Sequence, residues 1–97
     1  MAKYRKKPVV IEAFQMTQAR RWENVDWPEW LNAAWQKGVG ETGSVWCDTD
    51  PPHTFLHIAT LEDVMNVDWN DWIIRGVKGE LYPCKPDIFD ATYELVT

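Results

Sequence analysis

Trp72, Arg75, Lys78, Tyr82 and Lys85 fall within one short stretch near the C-terminal end of the chain. An indole or phenol ring beside a guanidinium suits a nucleotide: the base stacks on the ring, and the planar fork pairs with phosphate oxygens. Arg5, with Lys6 and Lys7, is a second source of positive charge. On a strand over residues 72–75, alternation turns Trp72 and Ile74 one way and Ile73 and Arg75 the other. Tyr82, on the next strand, then stands near Arg75 or near Trp72 depending on register. Each residue also has a plainer use. Trp72 can fill a core, Lys78 can sit on a solvated hairpin tip, and Arg75 can pair with a local acid.

Other chemistry is less well supported. No GxSxG, P-loop or HExxH pattern is present. Cys84 lies between Pro83 and Lys85, and a nearby ammonium lowers a thiol's pKa, but no histidine adjoins it in sequence. A structural thiol is the plainer reading. His53 and His57 share a strand face but stand roughly 13 Å apart, too far to chelate one ion. Cys47 could approach His57 across a hairpin. With no CxxC spacing between them, Cys47 and Cys84 are expected as free thiols. The expectation is therefore a binding protein, not an enzyme, with no cofactor and no metal.

Simple elements suffice to position these residues. Residues 9–16 are β-branched and aromatic and follow Pro8, which predicts a strand, central in a sheet because both of its faces are apolar. Residues 17–24 are a candidate helical lead-in. Residues 26–37 predict the main helix, with Asp26 and Glu29 at capping-box spacing, Pro28 in the first turn and Gly38 as a left-handed stop. Trp27, Trp30, Leu31, Ala34 and Trp35 form its apolar stripe. The stripe predicts core packing, and its surplus of tryptophan could also meet another subunit. Residues 44–48 and 53–59 predict a hairpin around the Asp50-Pro51-Pro52 turn. Residues 72–75 and 80–83 predict a second hairpin across Gly76 to Gly79. Pro86 opens a helical turn through Phe89, and residues 93–96 are expected to close the sheet. The expected fold class is α+β: one small mixed or mainly antiparallel sheet with a Trp-rich helix on one face, residues 1–97 forming a single domain.

Composition narrows the function classes. The chain has 97 residues, 45% apolar, seven of them tryptophan, with a net charge of −5. The charge is uneven: residues 1–21 are basic, residues 22–71 strongly acidic, and the rest close to balanced. An acidic chain is a poor partner for duplex nucleic acid. The basic arm could hold a phosphate, or pair with the acidic middle of its own chain or a neighbour's. No apolar run approaches the roughly 20 residues of a membrane span. The basic N-terminal residues lead into an apolar run broken at once by Glu12, so no export signal is read and a cytoplasmic setting is expected.

Two segments resemble a known family. Tyr4-Arg5-Lys6-Lys7-Pro8-Val9-Val10-Ile11-Glu12-Ala13 is similar to the N-terminus of a widespread family of short phage and prophage proteins. The stretch from Asp71-Trp72-Ile73-Ile74-Arg75-Gly76 through Pro83-Cys84-Lys85-Pro86-Asp87-Ile88-Phe89 resembles that family's C-terminal signature, and Ala91-Thr92-Tyr93-Glu94 continues it. The family looks like the broader PGDYG proteins. Asn70 here stands where glycine is usual before Asp71-Trp72, and asparagine is the next-best residue for a positive φ. The resemblance implies a phage setting and no particular activity. By analogy of size and context, the leading expectation is a counter-defence protein acting in the infected host cell. It would be a homo-oligomer that sequesters a nucleotide-derived immune signal, of ADP-ribose or cyclic-nucleotide type, without turning it over. The alternative is a protein-binding module that inhibits a host protein or serves phage assembly.

Overall fold

The computed structural model describes residues 2–5, 7–24, 26–48 and 55–96. In chain order the elements are β1 (Glu12–Gln15), α1 (Gln18–Glu23), α2 (Glu29–Gln36), β2 (Val45–Cys47), β3 (Leu56–Ala59), β4 (Val64–Val67), β5 (Trp72–Arg75), β6 (Leu81–Cys84) and α3 (Pro86–Thr92). The fold is α+β, and every strand pair is antiparallel.

The strands divide into two sheets of three, ordered β1-β5-β6 and β2-β3-β4, where one sheet was expected. The reason is burial. Phe14, Ile73 and Leu81 from the first sheet meet Val45, Leu56, Ile58 and Val67 from the second in one core. Trp27, ahead of α2, and Leu31 and Ala34 on it join the same cluster. One flat sheet would leave half of these side chains on a face that a single short helix cannot cover. The strand β4 escapes the sequence pattern because it is an edge strand whose single buried residue is Val67, so it shows no alternation.

The helices differ from expectation at their ends. Asp26 does not cap α2: Pro28 is the cap residue, with no side-chain bond, and Asp26 itself has φ 64°. The helix ends in extended backbone at Lys37, not in a left-handed Gly38. The lead-in is a true helix, α1, capped by the Thr17 hydroxyl, which accepts from the Arg20 amide at 3.2 Å. Asn70 does take a positive φ, 73°. The Asp50-Pro51-Pro52 turn and His53 lie outside the described residues.

Two corrections bear on function. Residues 9–16 were expected to be a central strand, but β1 spans Glu12–Gln15 and lies at a sheet edge. Of the apolar residues in 9–16, Phe14 and Met16 enter the core while Val9 and Val10 lie exposed ahead of the strand, and among the described residues no strand pairs with the other edge of β1. Residues 93–96 form no strand. Tyr93 ends α3 in extended backbone, and Leu95 and Val96 are exposed.

Candidate functional site

The strand β1 pairs with β5 from Glu12 opposite Arg75 to Gln15 opposite Trp72. Met16 continues the ladder, donating its amide to the Asp71 carbonyl at 2.9 Å. Amide direction alternates along a strand, so Met16, Phe14 and Glu12 turn their backbone groups toward β5. Ala13 and Gln15 turn theirs away. The Gln15 carbonyl is taken by the Arg20 guanidinium at 2.9 Å, which closes that end of the edge.

A groove of about 780 Å³ runs along this edge. Its floor is the strip Val9 to Phe14. One wall is Asp26, Pro28 and Trp30, on the side where Phe14 meets Trp27 edge-on at 6.5 Å. The other wall is Trp72, Phe89 and the segment Tyr93 to Val96. Because walls stand on both sides of the sheet, the groove wraps the open edge of β1. Three stacked rings build the second wall: Trp72 lies on Phe89 at 4.0 Å and 7°, and Phe89 on Tyr93 at 5.0 Å. Among the described residues, the lining includes Glu12, Asp26 and Glu94 and no lysine, arginine or histidine. Such a groove suits an extended, apolar segment carrying positive charge.

The residues singled out from sequence are not brought together at one point. Register puts Tyr82 opposite Ile74 and Cys84 opposite Trp72, so Tyr82 and Trp72 share a face. Arg75 faces the other way, opposite Leu81, and its guanidinium lies 3.8 Å from Glu12. Lys78 is exposed on the hairpin tip, where its amide donates to the Glu80 carboxylate. The Lys85 ammonium donates to Asp68 at 2.6 Å and Asp71 at 3.1 Å. Arg5 is exposed on the arm, and Lys6 lies outside the described residues. Of the six candidates, Trp72 alone lines the edge groove.

Sequence reasoning missed the floor and most of both walls. The available signal was two short apolar runs, Val9 to Ile11 and Leu95-Val96. Each was assigned to a paired strand.

The nucleophile and metal candidates have ordinary environments. Burial pushes the Cys84 thiol up, with Asp71 and Asp87 adding to it, so it stays protonated and weakly nucleophilic at neutral pH. Cys47 and Cys84 are free thiols. His57 is held between Asp48 and the Asn66 side chain. Among the described residues no group of three or more His, Cys, Asp or Glu is placed to hold a metal. No described helix is long and apolar enough to cross a membrane.

Alkaline pH is expected to weaken the fold around β6. Burial and then the Tyr93 hydroxyl push the Tyr82 pKa up; hydrogen bonds to Asp68 and then Asp71 raise that of Lys85. All three groups, Cys84 included, hold their protons more tightly in the folded chain. Their contribution is therefore intact below their ordinary values of 9.0, 10.0 and 10.5 and is lost as pH rises past them. The urea midpoint should fall between pH 8.5 and 11, roughly the interval these values span. Tyr82→Phe should make that fall shallower.

Comparison of the chain with protein-family profiles, curated proteins and solved structures finds no match.

Proposed function

We propose that the chain is a phage accessory protein that acts inside the infected cell by binding, without turnover, an extended segment of another protein. The segment lies along β1 as an added strand. The observation that carries this reading is the open edge of β1, floored by backbone and walled on both sides by aromatic and acidic side chains. In strand addition, main-chain hydrogen bonds supply affinity and side-chain pockets supply selectivity. The outward groups of Ala13, joined by those of Val9 and Ile11 once a guest extends the strand, offer the first, and the Trp30 and Trp72 walls offer the second. Glu12, Asp26 and Glu94 favour lysine or arginine in the guest. The phage setting rests on the Tyr4-to-Ala13 and Asp71-to-Phe89 resemblance.

The ring stack of Trp72, Phe89 and Tyr93 favours a second reading, capture of a nucleotide-derived signal. In that reading the phosphates must find cations elsewhere, because Arg75 sits against Glu12 and Lys85 against two aspartates.

One experiment separates the two. A displayed library of extended peptides is selected on the protein, and ADP-ribose-type and cyclic-dinucleotide signals are screened by thermal shift. The expected result is enrichment of alternating β-branched peptides with basic residues. Ala13→Pro should weaken their binding at least about tenfold, since it removes one outward amide and blocks close approach. Proline is tolerated at an edge position whose N–H faces solvent, so the melting temperature should hold. Saturable nucleotide binding, unchanged by Ala13→Pro and with no peptide selected, would overturn strand addition in favour of the second reading.

A further inference from the structure

We infer that, in the protein by itself, the β1 edge is occupied by the same edge of a second copy. The two basic arms cross, and two three-stranded sheets join into one of six strands. This rests on the groove being a strand site, as proposed above.

Charge complementarity points to the arm. Lys3, Arg5 and Lys7 precede Glu12 with no acid among them, while the described lining of the groove brings Asp26 and Glu94, besides Glu12 held against Arg75, and no cation of its own. Guest and receptor are also continuous: Val9-Val10-Ile11 runs directly into β1, so each copy carries an insert and an edge side by side. That is the self-complementarity a two-fold contact requires.

Exposure agrees. Val10 is 75% exposed, Leu95 89% and Val96 69%, apolar surface that a strand laid in the groove would cover. The radius of gyration is 14.3 Å, against about 12.5 Å for a compact chain of this length, which fits terminal segments that leave the body. From Val9 to Gln15 the edge has Glu12 as its single charge and no proline, so the usual devices that protect an edge from pairing are sparse.

The direction of the amides constrains the geometry. Outward groups belong to odd-numbered residues, so antiparallel pairing sets odd opposite odd. With Val9 at the axis, Lys7 of one copy faces Ile11 of the other and Arg5 faces Ala13, within the stretch that Asp26 and Glu94 flank and short of Gln15, whose carbonyl Arg20 holds.

The test is sedimentation of the full chain at low and high salt. The expected species is a dimer whose dissociation constant rises about tenfold or more with salt, because the pairing charges are exposed and screened. Two variants should be monomeric: Ala13→Pro, and the triple reversal Lys3→Glu, Arg5→Glu, Lys7→Glu. Mixing the triple variant with Asp26→Lys/Glu94→Lys should restore a one-to-one dimer. A wild-type protein that stays monomeric overturns the inference; if that monomer binds selected strand peptides, the groove reading stands. A dimer that survives both Ala13→Pro and arm reversal also overturns it, and peptide binding then decides the groove reading separately.

Discussion

Trp72→Ala is expected to lower the unfolding free energy by about 3 kcal/mol, the low end for removing a large aromatic side chain, because Trp72 is only half-buried. The cause is the position of its ring between two elements. It stands on β5 and carries Phe89 in near-parallel contact, and Phe89 in turn carries Tyr93. The helix α3 has no buried residue, so this stack is its principal tie to the sheet. Loss of the indole frees α3 and one wall of the groove together. Peptide selection against this variant should therefore recover nothing. Trp72→Phe keeps a ring in place and should cost about 1 kcal/mol, within the range for aromatic pairing. Urea denaturation followed by far-UV circular dichroism measures both. An unchanged midpoint for Trp72→Ala would mean that α3 is anchored by other contacts.

Asp71→Ala should be of similar size, about 3 kcal/mol, the upper end for hydrogen bonds made to a charged group. The Asp71 side chain is 3% exposed. Its carboxylate accepts from the Asp68 amide at 2.9 Å and from the Lys85 ammonium at 3.1 Å. The backbone of the same residue ties β5 to β1 through Met16. Alanine removes the acceptor of the Asp68 amide and with it the clamp on the turn that carries Asn70 in its left-handed conformation. Asp71→Asn retains an acceptor and should lose about half as much. Lys85→Ala should lose much less than Asp71→Ala, since Lys85 is half-exposed and Asp68 bears the rest of its contact. The same comparison bears on ligand binding. Lys85 serves the turn first, so a nucleotide would have to displace two carboxylates to reach it.

Local chemistry made much of this architecture legible. Trp72-Ile73-Ile74-Arg75, the paired glycines and the returning Glu80 to Pro83 gave a hairpin with the observed β5 limits and with β6 one residue further on, because turn residues and alternation agree there. Trp27, Leu31 and Ala34 identified the helix face that enters the core. The positive φ at Asn70 followed from asparagine standing where the resembled family carries glycine. The division into two sheets was not legible, because it depends on which faces meet across the core. Nor was the place of β1. An apolar stretch has the same pattern whether its edges are paired or open, and only the chain's path shows that one edge has no neighbouring strand among the described residues. The site suffered most from this. Arg75 and Tyr82 sit one hairpin apart in sequence, yet pleat and register turn them to opposite faces.

The order of pairing carries a kinetic consequence. The strands β2, β3 and β4 follow one another along the chain, as do β5 and β6, so each of those contacts closes a short loop. The strand β1 must wait for β5, its Glu12 meeting Arg75 across most of the polypeptide, and long closures come late and open first. Amides at the Phe14–Ile73 junction should thus exchange with solvent sooner than those between β3 and β4. Until β5 is made and docked, β1 has both edges unpaired, so this first-synthesised strand is the one most open to pairing with the wrong partner.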